Sequence, residues 1–117
     1  MVKSRSYIPA RGDLVWLNFH PQSGHEQSGK RPALTISPYL YNKKTSLALF
    51  CPVTSHSKGY PFEVPLGNQS KIFGVVLCDH IKNLDYRARD CQFIVKIPQN
   101  TLMEVILKIQ ALIVEKG

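Results

Sequence analysis

The chain has 117 residues, 15 Lys plus Arg against 8 Asp plus Glu, and a formal net charge of +7. That length suits one domain over residues 1–117 and not two, and a composition of 44% hydrophobic and 20% charged residues is too apolar for a disordered tail. No apolar run approaches the roughly 18 residues that span a bilayer, and residues 1–10 lack a signal-peptide hydrophobic region, so a cytoplasmic protein with no membrane partner is expected.

Short runs rich in Val, Ile, Leu and aromatic residues predict six strands, at 14–19, 33–37, 47–53, 62–66, 73–78 and 91–97. Polar turn signals separate them at 21–29, 38–45, 57–61 and 67–70, and a longer link at 79–90 has room for a helical turn. Many short strands with polar turns predict a small antiparallel β-barrel. Leu102, Val105, Ile106, Ile109, Leu112 and Ile113 then recur at spacings of three and four, which lays an apolar stripe along a C-terminal helix. Thr101 and Glu104 have the spacing of a capping box, and Pro98 keeps the preceding chain out of the helix. That stripe either closes one face of the barrel or serves a dimer.

Charge is uneven along the chain. Residues 1–60 hold eight basic groups against Asp13 and Glu26, whereas residues 61–117 hold seven against six. Such a basic half is either a polyanion-binding surface, RNA or DNA phosphate being the commonest partner, or a solubility charge. Cys51, Cys78 and Cys91 are odd in number, lie in apolar stretches and form no CxxC pair, so buried free thiols are expected rather than a disulfide framework or zinc knuckle.

Two segments carry candidate chemistry. The loop from His20 to Pro32 gathers Glu26, Gln27, Lys30 and Arg31 between two strands, and its competing reading is a solvated hairpin loop. From Cys51 to Pro61 a strand ends in Thr54, Ser55, Ser57, His56 and Lys58, groups that also occur in ordinary strand-ending turns but can donate to a phosphate oxygen. Together the loops supply what RNA cleavage requires: a base for the 2′ hydroxyl, an acid for the leaving 5′ oxygen and donors for charge on phosphorus. GxSxG, GxxxxGK[ST] and HExxH are all missing, so nucleophile-elbow hydrolases, P-loop nucleotide enzymes and zincins have no support, and the acids form no local cluster for Mg²⁺, which disfavours a metal-dependent nuclease.

Gly12-Asp-Leu-Val-Trp-Leu-Asn-Phe19, Glu26-Gln-Ser-Gly-Lys-Arg-Pro32, Pro52-Val-Thr54, Ser57-Lys-Gly-Tyr-Pro-Phe-Glu-Val64 and Tyr86-Arg-Ala-Arg89 follow one another along nearly the whole chain. In that order they resemble the MazF/PemK family of toxin endoribonucleases, its enterobacterial MazF branch above all. The resemblance implies a mainly β fold, an SH3-like antiparallel β-barrel with a C-terminal α-helix, assembled as a homodimer. It further implies metal-independent, cofactor-free cleavage of single-stranded RNA, mRNA among it, at a short sequence. Such cleavage leaves a 2′,3′-cyclic phosphate and a 5′ hydroxyl and stops translation and growth. An acidic MazE-type antitoxin is the implied protein partner.

By position, Arg31 and Thr54 match the family's catalytic arginine and threonine, and Glu26 its loop acid. A guanidinium is a poor base near neutral pH, which favours Arg31 as phosphate clamp, Thr54 as donor to a non-bridging oxygen and Glu26 as base, though Arg31 in both proton-transfer roles stays open. RNA contacts are expected from Phe19, Gln27 and Ser55 to bases and from Lys30, Lys58 and Arg87 to backbone. Trp16 shares a strand face with Leu14 and Asn18 and reads as a core or dimer contact before a stacking platform. His80 stands where relatives often have Gln. His25 and His56 flank the two loops, where a catalytic His pair stays open beside the favoured reading as solvated bystanders, and His20 reads as surface. The competing reading is a non-catalytic barrel toxin that binds a protein target, like the gyrase poison CcdB, which has no need of Glu26, Arg31 and Thr54.

Overall fold

A computed structural model describes residues 7–19, 29–67 and 71–115 of the chain. In order these form β1 (Asp13–Asn18), β2 (Lys30–Thr35), α1 (Tyr39–Thr45), β3 (Leu47–Thr54), β4 (Glu63–Pro65), β5 (Val75–Leu77), β6 (Lys82–Asp85), β7 (Gln92–Lys96) and α2 (Gln99–Ile113). Every strand pairing is antiparallel. β3, the longest strand, is the hub: its middle pairs with β2, its first half with β6 and its last two residues with β5.

Alternation of side chains along these strands builds a core on each face of the sheet. Leu14, Leu34 and Cys51 lie side by side in the ladders and pack with Leu102, Val105 and Ile109 of α2. Val15 and Ala33, one residue along, join Leu17, Ala48, Phe50 and Tyr86 on the opposite face. Burial on both faces explains why β1 reads as a continuous apolar run rather than an alternating one. Each fully buried aliphatic side chain contributes about 1.5–3 kcal/mol.

Several expectations are corrected. Among the described residues the sheet does not close into a full barrel: on the pairing path β4-β5-β3-β2-β1-β7 the end strands β4 and β7 have one partner each and do not pair with each other. Helix α2 packs against β4 and supplies side chains to the core there, in place of a closing ladder. It starts at Gln99, directly after an extended Pro98, with no side-chain cap. Thr101 is therefore not the cap; it lies inside the first turn, buried, and the Leu102 amide donates to the Pro98 carbonyl at 3.0 Å.

The 38–45 turn is helix α1, and the 79–90 link carries strand β6. Helix α1 has one buried anchor, and it is polar: the Asn42 amide nitrogen donates to the Pro9 carbonyl at 2.7 Å, and its backbone carbonyl accepts the Tyr86 hydroxyl at 2.7 Å. Among the described residues no helix is long and apolar enough to cross a membrane.

Candidate active site

Arg31 and Thr54 reach one place through strand register. β1 and β2 pair as far as Asn18 opposite Lys30, setting Arg31 opposite Leu17. β2 and β3 pair as far as Ala33 opposite Pro52, and the same register carried two residues further sets Arg31 opposite Thr54. Residues so related share a sheet face and are near neighbours. Both line a cavity of about 280 Å³ with Pro32, Val53, Ser55, His56 and Phe73. Arg31 is exposed and makes no ion pair with a described carboxylate, which leaves its five N–H donors for an incoming anion.

Thr54 is held in one orientation. The His56 amide donates to Thr54 Oγ1 at 3.1 Å, the local turn that threonine favours at a strand end, and the hydroxyl keeps its own proton to donate. Gly74, with φ of 140°, lies against the Thr54 backbone just before β5. A Cβ there would overlap the Thr54 carbonyl oxygen and stand 3.0 Å from its carbonyl carbon. Only glycine allows that approach.

Thr54 and His56 also belong to a second depression, of about 460 Å³, lined further by Lys58, Tyr60, Glu63, Leu77, Asp79 and His80. Glu63 organises its rim. Its carboxylate accepts the Ser57 hydroxyl at 2.8 Å and the Gly59 amide at 3.0 Å, and the Lys58 amide donates to both of its oxygens at 3.2 and 3.0 Å. The Lys58 amide first, then the Ser57 hydroxyl and further amides, hold its carboxyl below the usual glutamate range. A carboxylate so occupied is a poor proton acceptor for a substrate. His80 Nε2 lies 3.8 Å from Asp79 Oδ1, and both side chains are about half exposed.

The turn at 86–90 grips both stems of the β1–β2 loop. Arg89 donates to the carbonyls of Asn18 at 3.3 Å and Phe19 at 3.0 Å, and its own carbonyl accepts the Asn18 amide at 2.9 Å. On the other stem Lys30 Nζ pairs with Asp90 Oδ2 at 2.7 Å.

Of the residues expected to act, the structure brings together Arg31, Thr54 and Ser55, and places Lys58 in the adjoining depression. Three others are elsewhere. Phe19 packs, half-buried, on the Val15 and Leu17 cluster; the Lys30 ammonium faces Asp90; and the Arg87 guanidinium lies 5.9 Å from the Tyr86 ring centre. Glu26 and Gln27 lie outside the described residues, as do His20 and His25. Trp16 is half-buried, with Pro32 and Gln92 as its register partners in the sheet, and belongs to neither core cluster.

Phe73 was missed because 73–78 reads as one apolar strand, whereas the strand begins at Val75, after Gly74. Cys51 and Cys78 are buried and Cys91 half-buried, and desolvation pushes the Cys78 and Cys91 thiols up to about 11 and about 12, so none is a ready nucleophile.

The family model of the PemK-like, MazF-like toxins of type II toxin-antitoxin systems matches residues 10–113. The chain belongs to that family. It is 51% identical over 83 residues to the endoribonuclease toxin MazF of Escherichia coli K12, covering 71% of this chain and 74% of the relative. It is 34% identical over 118 residues to the endoribonuclease toxin ChpB of the same strain, with 97% of this chain and 99% of the relative covered. Its backbone matches a chain in the MazE-MazF (Form-II) crystal structure from Deinococcus radiodurans with a TM-score of 0.82 and 44% identity, over 94% of this chain and 99% of that one. The mainly antiparallel sheet and C-terminal helix are thus the architecture of MazF structures.

Proposed function

We propose that this chain is the toxin of a type II toxin-antitoxin pair, a cytoplasmic endoribonuclease that cuts single-stranded RNA and thereby stops translation. The observation that carries this reading is the convergence of Arg31 and Thr54, from different strands, on one cavity. Family membership and the endoribonuclease activity printed for its relatives support it. A purely protein-binding barrel has no need of an uncommitted guanidinium set beside an oriented hydroxyl.

The scissile phosphate sits between Arg31 and Thr54. Arg31 forks onto its non-bridging oxygens, and the Thr54 hydroxyl, already accepting the His56 amide, donates to one of them. Both contacts strengthen as charge builds on phosphorus, which is what lowers the barrier. A general base removes the 2′ hydroxyl proton, the 2′ oxygen attacks phosphorus, and the P–O5′ bond breaks with a proton delivered to the leaving oxygen. The products are a 2′,3′-cyclic phosphate and a 5′ hydroxyl. Glu26, the family's loop acid by position, fills the base role; Glu63, a carboxylate of the second depression, is spent on the loop at 57–60. Ser55 and Lys58 hold the strand on either side.

An acidic MazE-type antitoxin suits the +7 charge and blocks the site, in keeping with the MazE-MazF complex whose chain this one matches, and the toxin works as a homodimer. The test is incubation of the purified protein with a long RNA in EDTA. Discrete fragments ending in cyclic phosphate are expected, and Arg31→Ala abolishes them. A protein that yields no fragments, or whose fragments persist in Arg31→Ala, is not this enzyme.

A further inference from the structure

Phe73 is the most exposed large apolar side chain of the described protein, at 86%, and it belongs to neither core cluster. Burial of that ring would ordinarily be favourable, and the strand it precedes does bury Val75 and Val76. Gly74 turns the chain just before that strand and brings it onto the Thr54 backbone, so the ring is delivered to the cavity that holds Arg31, Thr54 and Ser55.

An aromatic face beside phosphate donors is the pairing with which proteins hold single-stranded nucleic acid, one group stacking a base while the others hold its backbone. We infer that Phe73 is a stacking platform for the base of a nucleotide next to the scissile phosphate. This inference rests on the endoribonuclease reading of the same cavity. A nucleic acid is favoured over a protein partner because the ring shares one cavity with the exposed Arg31 guanidinium and the hydroxyls of Thr54 and Ser55, the donors that hold phosphate. Phe73 takes over the stacking role that the sequence suggested for Phe19, which is packed against the core. Stacking tolerates any base, so Phe73 governs affinity more than the sequence cut.

Two measurements test this. Cleavage by Phe73→Ala should show KM raised about five- to 150-fold, the range expected for one lost base–aromatic stack, with kcat changed much less. Phe73→Trp and Phe73→Tyr should restore KM, and all three variants should melt with wild type because the ring is exposed. Separately, Phe73→Trp is titrated with a short single strand spanning the mapped cut and carrying a 2′-deoxy nucleotide there to prevent reaction; if no cut is found, a mixed 2′-deoxy pool is used. Its indole fluorescence, corrected for Trp16 by subtracting wild type, should be quenched, and an abasic nucleotide at one position should remove the quenching.

The inference is overturned if Phe73→Ala leaves KM within twofold of wild type, or if quenching survives an abasic nucleotide at every position. It is equally overturned if Phe73→Ala weakens an antitoxin complex or the dimer while RNA binding is unchanged. Failure of the endoribonuclease reading looks different: the wild-type protein itself cuts nothing, while the fluorescence titration still decides whether Phe73 meets a base.

Discussion

Arg31 of β2 and Thr54 of β3 line one cavity, each two residues beyond Ala33 and Pro52, where the pairing of those two strands ends. The two strands thus bring both side chains to one cavity just past the end of their pairing. Removing the hydroxyl with Thr54→Val should lower the single-turnover cleavage rate about 100- to 1,000-fold, as loss of one preorganised donor does. Arg31→Lys keeps the charge but not the fork and should cost about 10- to 150-fold. Neither change should alter unfolding free energy by more than about 1 kcal/mol, which urea titration checks.

The contact of Gly74 with the Thr54 backbone predicts a different signature. Gly74→Ala must displace Thr54 or the start of β5, because the added methyl meets backbone rather than a flexible side chain. Stability should fall by about 1–3 kcal/mol by urea denaturation, and the cleavage rate should fall further than that of an equally destabilised variant elsewhere.

Glu63 ties the loop at 57–60 together only while ionised. Its folded-state pKa is lowered, so its contribution is fully present above the unfolded glutamate value and is lost as pH falls through the lower folded one. In NMR titrations the Lys58 and Gly59 amide signals should shift together with one midpoint below the usual glutamate range. In Glu63→Gln that transition should be gone.

The Lys30–Asp90 pair is open to water on the Asp90 side and stabilises little, about 0–1 kcal/mol. Asp90→Ala should leave the melting temperature nearly unchanged and free Lys30 for RNA phosphate. The expected result is tighter binding at low salt and a plot of log Kd against log salt steeper by about 0.7, the increment for one more neutralised phosphate on a single strand. An unchanged slope would mean that Lys30 cannot reach the RNA.

The sequence displays clearly those elements whose pattern is set by burial. Helix α2 shows through Leu102, Val105 and Ile109, and β1 and β3 through apolar runs that pack on both faces. What it hides depends on tertiary partners. Strand β6 is a mostly polar segment, Lys82–Asp85, that is a strand only because the first half of β3 offers it hydrogen bonds. Helix α1 buries an asparagine in place of an apolar stripe. Likewise the chemistry of Arg31 and Thr54 can be read from residue type and motif, but their meeting depends on the β2–β3 register. Lys30 reads as free until Asp90, sixty positions away, is seen beside it.

The grip of Arg89 and Asp90 on the two stems of the β1–β2 loop also bears on engineering. Because the Arg89 side chain fastens the first stem from outside, by a turn far along the chain, a redesign of the stretch at 20–28 that keeps Glu26, the proposed base, leaves that anchor untouched.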